Sequence, residues 1–228
     1  MLSITTKKIK KGDRMELVNA DFDLFNREVV AFKQLKEIYP PETIQELKEA
    51  YQTHWQKWKQ LQMTAAENLS LDLQPKVESW TNGWNVRSHF WCAYRNVAHP
   101  NQNACLAALL NQKQYQVYLM FQHYKSEQRS GSIAAYNGLR RLIEQWSKDK
   151  SLTDYYIWPQ VEHELADHLS LTEYLSDPQK QEQLEEKLQG RSFQIGKLWF
   201  RSERIKDVEK LTVEALEELS QLYVSLKE

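Results

Sequence analysis

The chain has 228 residues, of which 27% are charged and 11% are aromatic. Thirty basic and 31 acidic residues give a net charge of −1, so the sequence lacks the basic character of a general nucleic-acid binder. Two cysteines exclude a disulfide-built scaffold, and the abundant aromatics exclude a disordered chain. No apolar run approaches the ~20 residues of a membrane span, and no signal peptide is recognisable. We therefore expect a cytoplasmic protein without a membrane partner.

Residues 1–62 predict a β-hairpin followed by two helices. A turn signal at residues 11–13 separates two short alternating runs, 4–6 and 15–17, which is the pattern of a hairpin. Asp21 suits the N-cap of the first helix, whose apolar residues recur at spacings of three and four up to Leu35.

The second helix is predicted from Pro41 to about Gln62 and carries an aromatic stripe. Tyr51, Trp55 and Trp58 lie on its apolar face. A stripe of this kind usually faces a core, which predicts a helix laid across a sheet. The alternative is a protein-interaction module, in which the stripe forms an exposed apolar patch larger than a few hundred Å².

Residues 77–200 predict the core of a β-sheet. Asn82-Gly83 between alternating runs is the strongest short-range hairpin signal, and it precedes a long predicted strand over residues 84–95. Further strands are predicted at residues 105–110, 114–123, 154–158 and 192–200.

The remaining helices are predicted at residues 131–146, at 171–188 with a break at Asp177-Pro178, and at 207–228. Consecutive hairpins with helices before and after them favour an α+β fold over alternating βαβ units. We therefore expect one α+β domain spanning residues 1–228. It would hold a mainly antiparallel sheet of five or more strands, flanked by four or five helices.

One face of the strand over residues 84–95 is rich in functional groups. Its odd-numbered side chains include Arg87, His89, Trp91 and Arg95, which we call the basic-aromatic row. Arginine offers paired donors to phosphate or carboxylate, and tryptophan offers a flat surface to a base or sugar ring. The row predicts a binding site for an anionic small ligand, a nucleotide or a nucleic-acid strand. The alternative is a solvated sheet face, or a covered face on which the arginines are paired.

An enzyme acting on a phosphorylated or nucleotide substrate is a second interpretation of the same row. His89 would be the general base, since the ordinary pKa of histidine lies near neutral pH. Arg87 and Arg95 would stabilise developing negative charge. The sequence contains no nucleophile elbow, no P-loop and no dinucleotide-binding fingerprint. The catalytic residues are therefore unknown, and no cofactor is expected.

Metal binding and reactive thiols are not predicted. His163 and His168 are five residues apart, whereas a zincin needs histidines four residues apart on one helix face. Cys92 and Cys105 lie in apolar runs and are interpreted as reduced core residues. Self-association through the last helix stays open, although its apolar stripe is no wider than a core contact requires.

Three segments of the chain resemble a full-length family of uncharacterised proteins from lactic-acid-type Gram-positive bacteria. They are Trp84–Trp91, Gln114–Met120 and Ser192–Trp199. Some members carry an automatic label of glucose-6-phosphate 1-dehydrogenase family, which implies an NADP-binding Rossmann domain and a catalytic histidine motif. The sequence contains neither, so that activity is not supported here and the resemblance supplies no site residues.

Overall fold

A computed structural model describes residues 15–160, 168–201 and 204–226, and the bounds below refer to this part of the chain. The strands are β1 (Leu17–Val18), β2 (Leu73–Val77), β3 (Thr81–Asn82), β4 (Asn85–Val86), β5 (His89–Asn96), β6 (Ala104–Asn111), β7 (Gln114–Phe121), β8 (Tyr155–Pro159), β9 (Leu169–Ser170), β10 (Phe193–Phe200) and β11 (Arg204–Ile205). The α-helices are α1 (Asn19–Asp23), α2 (Phe32–Ile38), α3 (Pro41–Glu67), α4 (Ile133–Asn137), α5 (Arg140–Ser147), α6 (Leu171–Ser176), α7 (Pro178–Lys187) and α8 (Val208–Tyr223).

Seven strands form one antiparallel sheet in the order β2-β5-β6-β7-β10-β8-β9. Strands β5, β6 and β7 are joined in sequence, and β10 then inserts between β7 and β8. Pro75 pairs with Tyr94 in the edge strand β2, where a residue without an N–H group interrupts no inner ladder. The prediction of an α+β fold with a mainly antiparallel sheet of five or more strands is confirmed.

The described helical segments outnumber the four or five that were expected, because three predicted helices are divided. The break at Asp177-Pro178 lies where it was predicted, and the Asp177 side chain accepts a hydrogen bond from the Gln179 N–H at 2.9 Å. The helix over residues 131–146 is likewise split into α4 and α5.

The prediction of one continuous helix over residues 21–35 is wrong, because α1 ends at Asp23 and α2 begins at Phe32. The N–H of Val86 donates to the Val30 carbonyl at 3.0 Å, and Ala31 bridges Asn85. Val30 and Ala31 thus join the β3–β4 hairpin instead of a helix, and the β-branched side chain of Val30 favours this extended conformation. Asp21 is also not an N-cap, since it lies inside α1.

In the same part of the molecule one predicted strand is corrected, and one predicted hairpin lies partly outside the described residues. Strand β1 pairs with β11, Leu17 lying opposite Ile205, and the predicted partner at residues 4–6 falls outside the described residues. The long strand over residues 84–95 is two strands, β4 and β5. Strand β4 forms a small separate hairpin with β3, in which Gly83 has φ +59° at the predicted Asn-Gly turn.

Helices α3 and α8 pack across one face of the sheet and form the main core with it. Tyr51 and Trp58 of α3 are 0% and 1% exposed, and Trp55 is half-buried with its Nε1 donating to the Glu78 carbonyl at 2.7 Å. The interpretation of α3 as a helix laid across a sheet is confirmed. The alternative of an interaction module on an exposed Trp55–Trp58 stripe is therefore wrong.

The opposite face of the sheet, called the second face below, carries its own apolar cluster. Strands β5 to β7 contribute Trp91, Ala93, Cys105, Ala107, Leu109, Tyr118 and Met120, and strands β8 and β10 contribute Trp158 and Leu198. The sheet is thus apolar on both faces, unlike an antiparallel sheet with one solvated face. Within the described ranges, no helix has the length and apolar content needed to cross a membrane.

Candidate ligand-binding groove

An open groove with a cavity volume of about 670 Å³ lies over the second face. Trp91, Leu109 and Met120 contribute its apolar floor from three adjacent strands. Its other described lining residues are Phe25, Arg27, Glu78, Asn82, Arg87, Ser88, His89, Asn111, Gln112, Gln122, His123, Tyr124 and Gln160. Small-molecule sites are commonly about 300–1,000 Å³, so the groove has the size of a ligand site.

The structure brings three members of the basic-aromatic row into this groove. Arg87, His89 and Trp91 line the groove. Arg95 is not among the residues described as lining it. Arg95 is 9% exposed, donates from Nε to the Gln102 carbonyl at 3.2 Å, and donates from Nη2 to Gln122 Oε1. Arg95 therefore supports the groove through Gln122 rather than by lining it.

Arg87 lies just outside β5, and its guanidinium already holds a carboxylate. Its Nη2 is 2.7 Å from Glu78 Oε2, and its Nε donates to the Ser79 carbonyl at 2.8 Å. The alternative interpretation, in which the row's arginines are paired, thus describes Arg87 correctly. The pairing carboxylate belongs to the segment before β3 rather than to a covering helix.

Arg27 is a groove residue that sequence analysis missed. It lines the groove beside Arg87, in the stretch between α1 and α2 that was predicted to be helical. The two residues meet at Tyr51, whose hydroxyl donates to the Arg87 carbonyl at 3.1 Å. Burial raises the pKa of Tyr51 to about 12, and a hydrogen bond from Arg27 acts against that rise. The helical spacing of the apolar residues around Arg27 predicted a helix there and gave no sign that Arg27 would reach a site on the sheet.

His89 is uncharged at neutral pH. Burial, together with the neighbouring positive charge of Arg87, lowers its pKa to about 4. A general base works best with a pKa near the operating pH, so this imidazole is a weak base there. The enzyme interpretation therefore finds no support at His89, although a neutral imidazole can still donate and accept hydrogen bonds.

The far end of the groove is polar and holds a second histidine. His123 Nε2 lies 2.9 Å from Ser192 Oγ, and that hydroxyl donates to Gln160 Oε1 at 2.9 Å. Burial lowers the pKa of His123, which favours its neutral form. Ser192 is 0% exposed, so it positions His123 and Gln160 and is not an accessible nucleophile.

The strand register sets the length of the groove. His89 pairs with Asn111 at one end of the sheet, whereas Gln122 follows the last residue of β7 at the other end. Several rows of side chains lie between these ends, and successive rows are two residues apart along a strand. The distance from one end to the other is roughly 25 Å. An elongated ligand would thus meet arginines at one end, an apolar floor in the middle and amide groups at the far end.

The remaining sequence candidates lie elsewhere or outside the described residues. Cys92 and Cys105 are free and buried, as predicted, and Cys92 faces the main core, away from His89. His163 falls outside the described residues. The His168 ring is packed edge-on against Trp158, with ring centroids 4.8 Å apart.

Two comparisons place the chain among known sequences. A protein-family model matches residues 17–226, which is most of the chain. A Haemophilus influenzae protein described as uncharacterized is 31% identical over 154 residues, which are 67% of this chain and 72% of that protein. Neither comparison names an activity, so a function has to be argued from the groove.

Proposed function

The chain belongs to a family of uncharacterised proteins, and we propose that it is a binding protein whose groove holds an anionic organic ligand. The observation that carries the proposal is the convergence of Arg87, His89 and Trp91 on one open cavity of about 670 Å³. Their residue types suit anion binding and ring stacking.

The chemistry of the lining supports this proposal. Arg27 and Arg87 lie together at one end and attract negative charge, while the apolar floor accepts the body of an organic molecule. Trp91 donates from Nε1 to the Tyr118 hydroxyl at 3.1 Å, which fixes its indole in the floor. A fixed aromatic surface beside cationic donors is suited to a ring or an apolar chain that bears an acidic group.

A thermal-shift screen tests the proposal directly. The full chain is heated with panels of organic carboxylates, sugar phosphates, nucleotides and short single strands. A ligand that binds only the folded state stabilises it by RT ln(1 + [L]/Kd), or about 2.7 kcal/mol at a hundredfold excess over Kd. We expect a stabilising shift from at least one class of anion and a smaller shift in His89→Ala.

His99→Ala is the matched control, because His99 is exposed and lies outside the described lining of the groove. The control variant should keep the full shift. An unchanged shift in His89→Ala, in a protein with wild-type secondary structure, would place the bound anion elsewhere and contradict the proposal. So would the absence of any shift across all four panels.

A further inference from the structure

The charge of the groove distinguishes between classes of anion. Among the described lining residues, the formal charges belong to Arg27, Arg87 and Glu78, which give a net formal charge of +1. The two lining histidines add no charge at neutral pH, because burial lowers the pKa of both. A nucleotide or a nucleic-acid strand carries several negative charges and needs a matching number of cations. The groove therefore suits a single negative charge.

The hydrogen-bonding groups of the groove are mostly side-chain amides. They are supplied by Asn82, Asn111, Gln112, Gln122 and Gln160. Three of their oxygens are already engaged within the protein: Asn111 Oδ1 accepts from two backbone N–H groups, Gln122 Oε1 from Arg95, and Gln160 Oε1 from Ser192.

The NH₂ groups of Asn111, Gln122 and Gln160 make no further hydrogen bond in the part of the chain that the structure describes. They are donors, and carbonyl oxygens are their natural acceptors. Asn111 lies at the end of the groove that holds Arg27 and Arg87, whereas Gln122 and Gln160 lie at the far end, so these donors stand at both ends with the apolar floor between them. A chain of carbonyl groups matches that spacing better than one compact head group does.

We propose that the groove binds a short apolar peptide in an extended conformation, with its free C-terminal carboxylate at the Arg27–Arg87 end. The inference rests on the proposed function of the same groove. An extended peptide advances about 3.4 Å per residue, so roughly seven residues span the groove. Its carbonyl oxygens accept from the amide donors, and its apolar side chains pack on Trp91, Leu109 and Met120. Its single negative charge matches the net formal charge of +1 on the lining.

Calorimetric titration of the full chain with three probes tests this inference. The probes are an apolar hexapeptide with a free C-terminal carboxylate, the same peptide with a C-terminal amide, and AMP. The free peptide should bind, and amidation should weaken binding about tenfold or more, because a hydrogen bond to a charged group is lost. AMP should bind more weakly than the free peptide.

Two arginine variants locate the carboxylate. Arg27→Gln should reduce the affinity for the free peptide about tenfold and abolish the difference between the two peptides. Arg141→Gln is the matched control, since Arg141 is an exposed arginine on α5 outside the described lining, and it should behave as wild type. Glu78→Gln raises the net formal charge of the lining to +2 and should therefore strengthen the binding of the free peptide and of AMP.

The outcomes separate the inference from the proposed function. Tighter binding of AMP than of the peptide, lost in Arg27→Gln, would overturn the peptide inference while the groove stays an anion site. Equal binding of the two peptides would overturn the placement of the carboxylate and hence the inference. If neither these probes nor any anion of the thermal-shift panels binds, the inference and the proposed function both fail.

Discussion

The guanidinium of Arg87 lies 2.7 Å from the carboxylate of Glu78, and the pair joins the two ends of the β3–β4 hairpin beside the groove. The Arg87 N–H also donates to the Trp80 carbonyl at 3.0 Å. Because Glu78 and the Ser79 carbonyl hold two of its nitrogens, only part of the Arg87 guanidinium is available to a ligand.

We expect the Glu78→Gln substitution to change stability little. The two side chains are 20% and 30% exposed, so water screens the pair only in part, and its loss should cost about 1 kcal/mol. Urea denaturation should show a free energy of unfolding within that margin of wild type. The exposed Glu144 provides the control through Glu144→Gln, and a loss of several kcal/mol in Glu78→Gln alone would mean that the pair holds the hairpin in place.

Two tryptophans should respond very differently to truncation. Trp58 is 1% exposed and packs against Phe90 and Tyr115, so Trp58→Ala should cost about 3–5 kcal/mol. Trp84 is 85% exposed in the β3–β4 turn, and Trp84→Ala should cost less than about 0.5 kcal/mol. Chemical denaturation of both variants checks that the aromatic face of α3 packs in the main core, which is contradicted if Trp58→Ala is as stable as Trp84→Ala.

The elements that the sequence predicted well are those whose signals are local. The Asn82-Gly83 turn, the strands over 105–110 and 114–123, and the break at Asp177-Pro178 depend on nearest-neighbour spacing and turn residues, and all are present. The division of the strand over residues 84–95 was missed because its alternation continues unbroken through Arg87. The division arises from long-range pairing with residues 30–32, which no local pattern encodes.

The candidate site was predicted only in part for the same reason. Period-two spacing correctly placed His89 and Trp91 on one face, because both belong to β5. Arg27 and Glu78 reach the groove from two irregular segments, and their arrival depends on how the chain folds around Tyr51 and Trp55. Pairing of charges across loops is a tertiary property that spacing along the chain does not reveal.

Gly196 should be intolerant of any side chain. It pairs with Tyr118 across β7 and β10, and a Cβ there would lie 2.5 Å from the Cα and Cβ of Tyr118 and still closer to the Val117 carbonyl oxygen. Gly196→Ala should therefore cost about 1–3 kcal/mol through overpacking, measured by thermal unfolding.

Gly138→Ala is the control for that experiment, because Gly138 has helical φ and a Cβ there would meet its nearest atoms at 3.1 Å or more. A change of less than about 1 kcal/mol is expected at this position. Equal stability of the two alanine variants would show that β7 and β10 can separate without cost.

Both thiols should be unreactive in the folded protein. Burial raises the pKa of Cys105 to about 11 and raises that of Cys92 well above its ordinary value, so neither is a thiolate at neutral pH. A chromogenic disulfide reagent should label neither cysteine in the native state and both in denaturant. Cys92→Ala and Cys105→Ala assign the signal. Rapid native labelling of Cys105, which belongs to the second face, would contradict the closed packing of that part of the sheet.

Asp21 should make stability depend on acid pH. It is 2% exposed, and its carboxylate lies 2.8 Å from His54 Nδ1 and 2.6 Å from Lys57 Nζ, while the Val18 N–H donates to it at 2.9 Å. Burial by itself would raise the Asp21 pKa, but these three partners together lower it below 3.8. Asp21→Asn should destabilise the protein by about 2 kcal/mol at neutral pH, because hydrogen bonds to a charged acceptor are lost.

The sign of the pH dependence follows from the direction of that pKa shift. The unfolded chain takes up a proton at Asp21 near pH 3.8, before the folded protein does, so the stabilisation is complete above that pH and is lost as the pH falls through the folded-state pKa. Urea denaturation at a series of pH values should therefore show the difference between wild type and Asp21→Asn shrinking only in acid. Glu46→Gln, on the exposed face of α3, is the control, and its free energy of unfolding should follow that of wild type at every pH. A difference that stays constant into strong acid would mean that Asp21 stabilises the fold through its shape and hydrogen bonds alone.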